Sequence, residues 1–206
     1  MVRRFSDSLV TLYGPVSGNK VAVIRDSVLA IIDATTGVIS GGWVPRLSNG
    51  LPLHVVYARL HPDGRRVLAI GLYGSDDYSW FVVGAVETGE RLYQHPLSLP
   101  LGEIGISDDG SLAVVTDPPG MWGFDPALHI IDLDHLALIS RLTTNLAFQS
   151  QVHFEPDNRH VVLARASSYY GTGPLQVIGL DGMTVRTMPL PLRAPVIGGL
   201  DIGPRL

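Results

Sequence analysis

The sequence predicts an all-β chain made of four four-stranded antiparallel units. Three observations lead there. A turn signal recurs at a nearly constant interval, a second Gly- or Asp-containing turn follows at a similar place inside each interval, and the runs between turns are short, apolar and β-branched. No window of comparable length carries an amphipathic helix period with caps.

Each unit opens on a strand that runs into the first turn: Thr11 to Tyr13, Val55 to Leu60, Glu103 to Ile106 and Gln151 to Phe154. The turns are Ser17-Gly18-Asn19-Lys20, His61-Pro62-Asp63-Gly64, Ser107-Asp108-Asp109-Gly110 and Glu155-Pro156-Asp157-Asn158. Gly18, Gly64, Gly110 and Asn158 are thus spaced by 46, 46 and 48 residues. Gly64 and Gly110 are expected in tight hairpin turns, because a hairpin demands a backbone conformation that glycine reaches without strain. The second strands are Val21 to Ile24, Val67 to Ile70, Leu112 to Val115 and His160 to Leu163. The third are Leu29 to Asp33, Phe81 to Val83, Leu128 to Asp132 and Leu175 to Ile178, before Thr36-Gly37, Thr88-Gly89, Asp134-His135 and Asp181-Gly182. A fourth strand then leads into the next unit.

Units of this length are the size of β-propeller blades; the alternative is a β-sandwich, whose strands would not recur with one register. The expected blades are 9–50, 51–97, 98–146 and 147–193, in a single domain over 1–206. Residues 194–206 repeat the start of a blade, since Val196 to Ile202 before Gly203-Pro204 aligns with Val55 to Leu60 before His61-Pro62. The runs "RLHPDGRRVLAI" and "FVVGAVETGERL" resemble the bacterial WD40-like and YVTN-type propeller repeats: a Pro-Asp-Gly hairpin, a hydrophobic strand, then a Thr-Gly turn. The resemblance covers residues 9–206 and implies a fold shared by many functions; Gly-His dipeptides and Trp-Asp repeat endings are absent. The reading is a four-bladed part of a larger propeller, or a ring completed by another chain through open blade faces. A closed four-bladed ring is the alternative.

Composition excludes several chemistries. The chain has 206 residues, 46% hydrophobic and 17% charged, with no cysteine, so disulfides, thiolate metal sites and a Cys nucleophile are ruled out. Its formal net charge is -4 and it has no basic stripe, which argues against nucleic acid. One lysine, Lys20, stands against 14 arginines, the bias of a GC-rich coding sequence. No apolar run reaches the roughly 20 residues of a membrane helix, and none follows Arg3 and Arg4 in the manner of a secretory leader. The expected location is cytoplasmic. The seven histidines show no paired metal spacing, Gly14 to Lys20 lacks the P-loop pattern, Ser40 lacks a nucleophile elbow and Asp132/Asp134 lack a calcium loop, so no metal or cofactor is expected.

Two features mark a candidate site. Connections from second to third strand are enlarged in three units: Tyr73 to Trp80, Asp117 to Pro126 and Ser167 to Gly173. They carry Tyr78, Trp80, Trp122 and Tyr170, which serve either recognition or as covers over the blade tops. First strands alternate apolar residues with polar ones, and strand side chains alternate faces. The polar set (Thr11, Tyr13, Tyr57, Arg59, Glu103, Gln151, His153, Asp201) therefore recurs on one face, where Arg59, Glu103, His153 and Asp201 either pair across blades or take a ligand. The expected ligand-binding residues are Arg59, Tyr78, Trp80, Glu103, Trp122, His153 and Tyr170.

These features fit a non-catalytic module that binds a protein or peptide through its loop-bearing rim. Two alternatives stay open: a propeller enzyme, lactonase-like or quinoprotein-like, with its site at the channel mouth, and a small-ligand or sugar binder that stacks its ligand on the loop aromatics. No catalytic motif selects the enzyme.

Overall fold

The computed structural model describes residues 11–17, 19–25, 28–73, 78–98, 102–117, 127–143, 150–165, 175–182 and 185–188. They form four antiparallel sheets, each of four strands in sequence order, and no helix occurs among them. The first sheet holds β1 (Thr11–Ser17), β2 (Lys20–Arg25), β3 (Val28–Asp33) and β4 (Ile39–Trp43); the second β5 (His54–Leu60), β6 (Arg66–Tyr73), β7 (Tyr78–Ala85) and β8 (Arg91–Leu97). The third holds β9 (Ile104–Ile106), β10 (Leu112–Asp117), β11 (Ala127–Asp132) and β12 (Ala137–Thr143); the fourth β13 (Ser150–Phe154), β14 (His160–Arg165), β15 (Leu175–Gly179) and β16 (Val185–Met188). Gly18 and the further strand expected at 196–202 lie outside the described residues.

Turn chemistry fixes the first hairpin of the second, third and fourth sheets. Between β5 and β6, the His61 N–H donates to the Arg66 carbonyl (2.9 Å) and the Gly64 N–H to the His61 carbonyl (2.9 Å), with Gly64 at φ 67°. Between β9 and β10 the same pair links Ser107 with Leu112 and Gly110 with Ser107, with Gly110 at φ 76°. Between β13 and β14, Asn158 takes the glycine's place at φ 53°, a conformation that asparagine tolerates better than most side chains. An aspartate braces each turn. Asp63 Oδ1 accepts the N–H groups of Arg65 and Arg66, Asp109 Oδ1 that of Ser111, and Asp157 Oδ1 those of Arg159 and His160. Such bonds stabilise the ionised carboxylate. Donation from the Arg159 N–H and the His160 side chain holds Asp157 at about 2. Asp63 is also lowered, the Arg65 N–H and the Arg66 side chain outweighing the upward push of burial.

A second bond ties the two turns at that end of each sheet. The residue after the third strand donates its N–H to a carbonyl of the first hairpin: Ala34 to Asn19, Val86 to Arg65, Leu133 to Ser111 and Leu180 to Arg159, at 2.6 to 2.9 Å. Bulges recur too. The fourth strand carries an extra residue at Ser40, Leu92 and Ile139, each seven positions after the end of the third strand. A bulge there bends an otherwise open strand edge and spoils it as a template for further pairing.

The chain divides into two compact units, residues 1–100 and 101–206. In unit 1 the first and second sheets bury Leu29, Ile31, Trp43, Leu53, Ala58, Leu60, Val67 and Val82 in one core. Trp43 closes it. A Cβ at Gly84 would lie 2.6 Å from its indole, so only glycine admits the ring there. The β4–β5 connection grips β8 from outside, where the Ser48 N–H donates to Gln94 Oε1 (3.1 Å) and Arg91 Nη1 to the Arg46 carbonyl (2.8 Å).

In unit 2 the core between the third and fourth sheets holds Val114, Leu128, Ile130, Val152, Phe154, Val161, Leu163 and Ile178. Phe154 thus lies on the apolar side of its strand, as the alternation predicts. The two first hairpins of this unit are joined directly, the Asp108 N–H donating to Asn158 Oδ1 at 3.1 Å.

Candidate functional site

The strand ends opposite the braced hairpins are where the enlarged connections leave: β6 to β7, β10 to β11, and β14 to β15. In unit 2 the Asp108–Asn158 bond sets both hairpins at one end. The β10–β11 and β14–β15 ends then share the other.

The residues predicted from sequence are distributed as follows. Arg59 is half-buried in β5, and its Nε donates to the Tyr57 hydroxyl two residues away (3.1 Å), so these members of the polar set engage each other along one strand. Trp80, in β7, packs against the core of unit 1. Tyr78 begins β7 opposite Tyr73. Glu103 precedes β9; its N–H donates to Thr116 Oγ1 (2.7 Å) and its carbonyl accepts the Thr116 N–H (2.9 Å), which fixes the backbone at the loop-bearing end of β10. His153 is half-buried in β13. The first strands β9 and β13 adjoin closely enough that a Cβ on Gly105 would sit 3.4 Å from Val152, so unit 2 carries Glu103 and His153 on neighbouring strands. Trp122, Tyr170 and Asp201, with the connections 74–77, 118–126 and 166–174, lie outside the described residues.

Three groups escaped the sequence reading. Asp117, the last residue of β10, and His129, in β11, form a buried pair with Oδ2 and Nε2 3.2 Å apart and side chains 1% and 5% exposed. Val115 pairs with His129 and Asp117 with Ala127, which puts both side chains on one face at the base of the β10–β11 connection. A buried carboxylate needs such a partner. Ser79 Oγ, on β7, is fully buried and has no hydrogen-bond partner among the described residues. At the opposite end, Glu155, Asp157 and His160 place potential metal-ligating atoms within 4.8 Å of one another. There His160 Nδ1 lies 2.5 Å from Asp157 Oδ2 and 3.9 Å from Glu155 Oε2. These are the turn positions of His61, Asp63 and Arg66 between β5 and β6, where Arg66 Nε meets Asp63 Oδ2 at 2.9 Å. His160 therefore does in its turn what Arg66 does in the other, bracing the aspartate from the sixth position.

No protein-family model matches the chain, and no curated protein matches it. Among solved structures it is similar to Kuenenia stuttgartiensis hydrazine synthase, at 16% identity and a TM-score of 0.61 over 86% of this chain. It is similar also to a structure described as TolB from Agrobacterium tumefaciens, at 14% identity and a TM-score of 0.63 over 89% of this chain. The fold is a β-propeller. The chain spans 48% and 63% of the lengths of those two proteins. At these identities the likeness carries the propeller fold, in which each four-stranded sheet is a blade, and it leaves the finer WD40-like and YVTN-type resemblance where the repeat residues put it. No helix among the described residues is long and apolar enough to cross a membrane.

Proposed function

We propose that this propeller is a non-catalytic module that binds a protein or peptide at the rim formed by its second-to-third-strand connections. The observation that carries the reading is the arrangement in unit 2, where the bonded hairpins Asp108 and Asn158 leave the ends flanking 118–126 and 166–174 together on the other rim. Those two segments bring Trp122, Tyr169 and Tyr170, and aromatic side chains dominate the energetics of protein interfaces. The base beneath is rigid, because Asp117 is held by His129 and the Glu103 backbone by Thr116. Rigid strands under variable loops are the usual support of a recognition surface. The scaffold that carries this rim is non-catalytic on this reading, and a protein or peptide is its ligand.

The test is selection of binding peptides from a random displayed library against the intact protein, followed by two variants. Trp122→Ala is expected to weaken the selected peptides about tenfold or more, as for an interface aromatic, with the thermal midpoint unchanged. Phe154→Ala, inside the core of unit 2, is expected to lose about 3 to 5 kcal/mol of stability. If Trp122→Ala unfolds the protein as badly as Phe154→Ala, the loop aromatic is a structural cover and the rim reading fails.

A further inference from the structure

Neighbouring blades meet in the same way in both units. In unit 1, Trp43, at the end of β4 in blade 1, lies over the turn glycine of blade 2, its Cδ1 3.2 Å from where a Cβ on Gly89 would stand. In unit 2, Leu142 on β12 of blade 3 lies over Gly182 of blade 4, its Cδ2 3.1 Å from the corresponding point. The covering residues are equivalent by register: Trp43 pairs with Leu29 and Leu142 with Leu128, four positions before Asp33 and Asp132. The covered glycines are both left-handed, at φ 68° and 73°. An apolar side chain of one blade's fourth strand thus closes over the last turn of the next.

Both halves of one more such junction are present. Blade 1 has the same turn, with Gly37 at φ 73°, and next to it Val38 and Ile39 are 60% and 65% exposed. They are the most exposed large hydrophobic residues among those described. The turn itself does not require them, since the matching positions of blade 2 are Glu90 and Arg91. Blade 4 has the same register position: Leu175, the counterpart of Leu29 and Leu128, pairs with Met188.

We propose that the Gly37-Val38-Ile39 turn of blade 1 receives the fourth strand of blade 4 from a second copy of this chain, head to tail, in the register by which Trp43 and Leu142 meet their neighbouring blades. The occupant is argued from the chain's own junctions, which build this contact twice from the same register positions. Such a contact joins two different surfaces, so it closes into a ring or propagates.

Sedimentation of the full chain from about 1 to about 100 µM, spanning ordinary association strengths, provides the test. The wild type is expected to associate across this range. Val38→Asp/Ile39→Asp is expected to raise the dissociation constant at least about tenfold, since a charge then has to be buried in the contact. The circular-dichroism spectrum of this variant should match the wild type, because both positions are exposed. Met188→Asp is expected to have the same effect. An equimolar mixture of the two variants should form a heterodimer, because one keeps an intact turn and the other an intact fourth strand. A monomeric wild type overturns the proposal, as does unchanged association of the Val38→Asp/Ile39→Asp variant, which decides alone if Met188→Asp does not fold. A mixture that stays monomeric overturns the head-to-tail arrangement.

Discussion

The junction inside unit 1 makes a quantitative prediction through Trp43 and Gly84. A buried tryptophan removes about 200 Å² from water, and at about 25 cal/mol per Å² that is about 5 kcal/mol. Alanine keeps only the first carbon of this, so Trp43→Ala is expected to cost about 3 to 5 kcal/mol. Gly84→Ala works from the other side. The added methyl would stand 2.6 Å from Cζ2 and Cη2 of the indole, a rigid ring already enclosed by the core, and overpacking of this kind costs about 1 to 3 kcal/mol. Once the indole is gone the clash is gone too, and alanine in a strand is better than glycine by roughly 0.5 to 1 kcal/mol. Gly84→Ala should therefore change sign, from destabilising in the wild type to neutral or stabilising beside Trp43→Ala. Urea denaturation of the four proteins of this cycle, with stabilities extrapolated from transitions of equal slope, measures the coupling. An additive cycle, with Gly84→Ala costing the same in both backgrounds, refutes the packing argument.

Asn158→Ala is expected to lose about 2 kcal/mol, from the bond to the Asp108 N–H and from placing alanine at φ 53°, whereas Asn158→Gly should lose only the bond, about 1 kcal/mol; urea titration separates them. Asp157, held at about 2 against about 3.9 when unfolded, stabilises the fold above pH 4, and this contribution disappears as pH falls through 2. The gap in thermal midpoint between wild type and Asp157→Asn should accordingly be full at pH 5 and close towards pH 2, and a gap independent of pH would contradict the assignment. His129→Leu, which takes the imidazole from a buried carboxylate, is expected to cost about 3 to 5 kcal/mol, and the double variant Asp117→Val/His129→Leu less than His129→Leu alone, both read by chemical denaturation.

The repeat was legible because turns impose the narrowest demands on residue type. Gly64, Gly110 and Asn158 all take positive φ, and the aspartate immediately before each accepts the N–H groups that the reversal exposes. The extra residues in the fourth strands were not legible, since Ser40, Leu92 and Ile139 share a position and no side-chain property. Another bulge, at Val56, puts Val55 in the same core as Ala58 and Leu60, where a simple alternation separates them. Trp43 gave no local signal either, as its partner glycine is in another blade. At the candidate site, Trp80 illustrates the limit of composition: an aromatic beside a long connection packs against the core. His129 looked like one of seven scattered histidines because its carboxylate lies across a hairpin; the usable signal was the pairing register that brings 117 and 129 to one face.

The bonds from the residue after the third strand to the first hairpin join positions only about 15 to 22 residues apart: Asn19 to Ala34, Arg65 to Val86, Ser111 to Leu133 and Arg159 to Leu180. Closing a loop of that length costs little chain entropy, and each additional doubling adds only about 0.6 kcal/mol. Three strands of a blade can therefore lock together before any distant segment arrives, and the slow search usual for all-β proteins is replaced by a series of short ones. A stretch of sequence that completes its own hydrogen bonding in this way can also be copied in tandem without disturbing its neighbours. In this protein the segment closed by each of these bonds is less than half as long as the 46 to 48 residues that recur along the chain, so each repeat holds a locally closed part and a fourth strand that reaches toward the next blade.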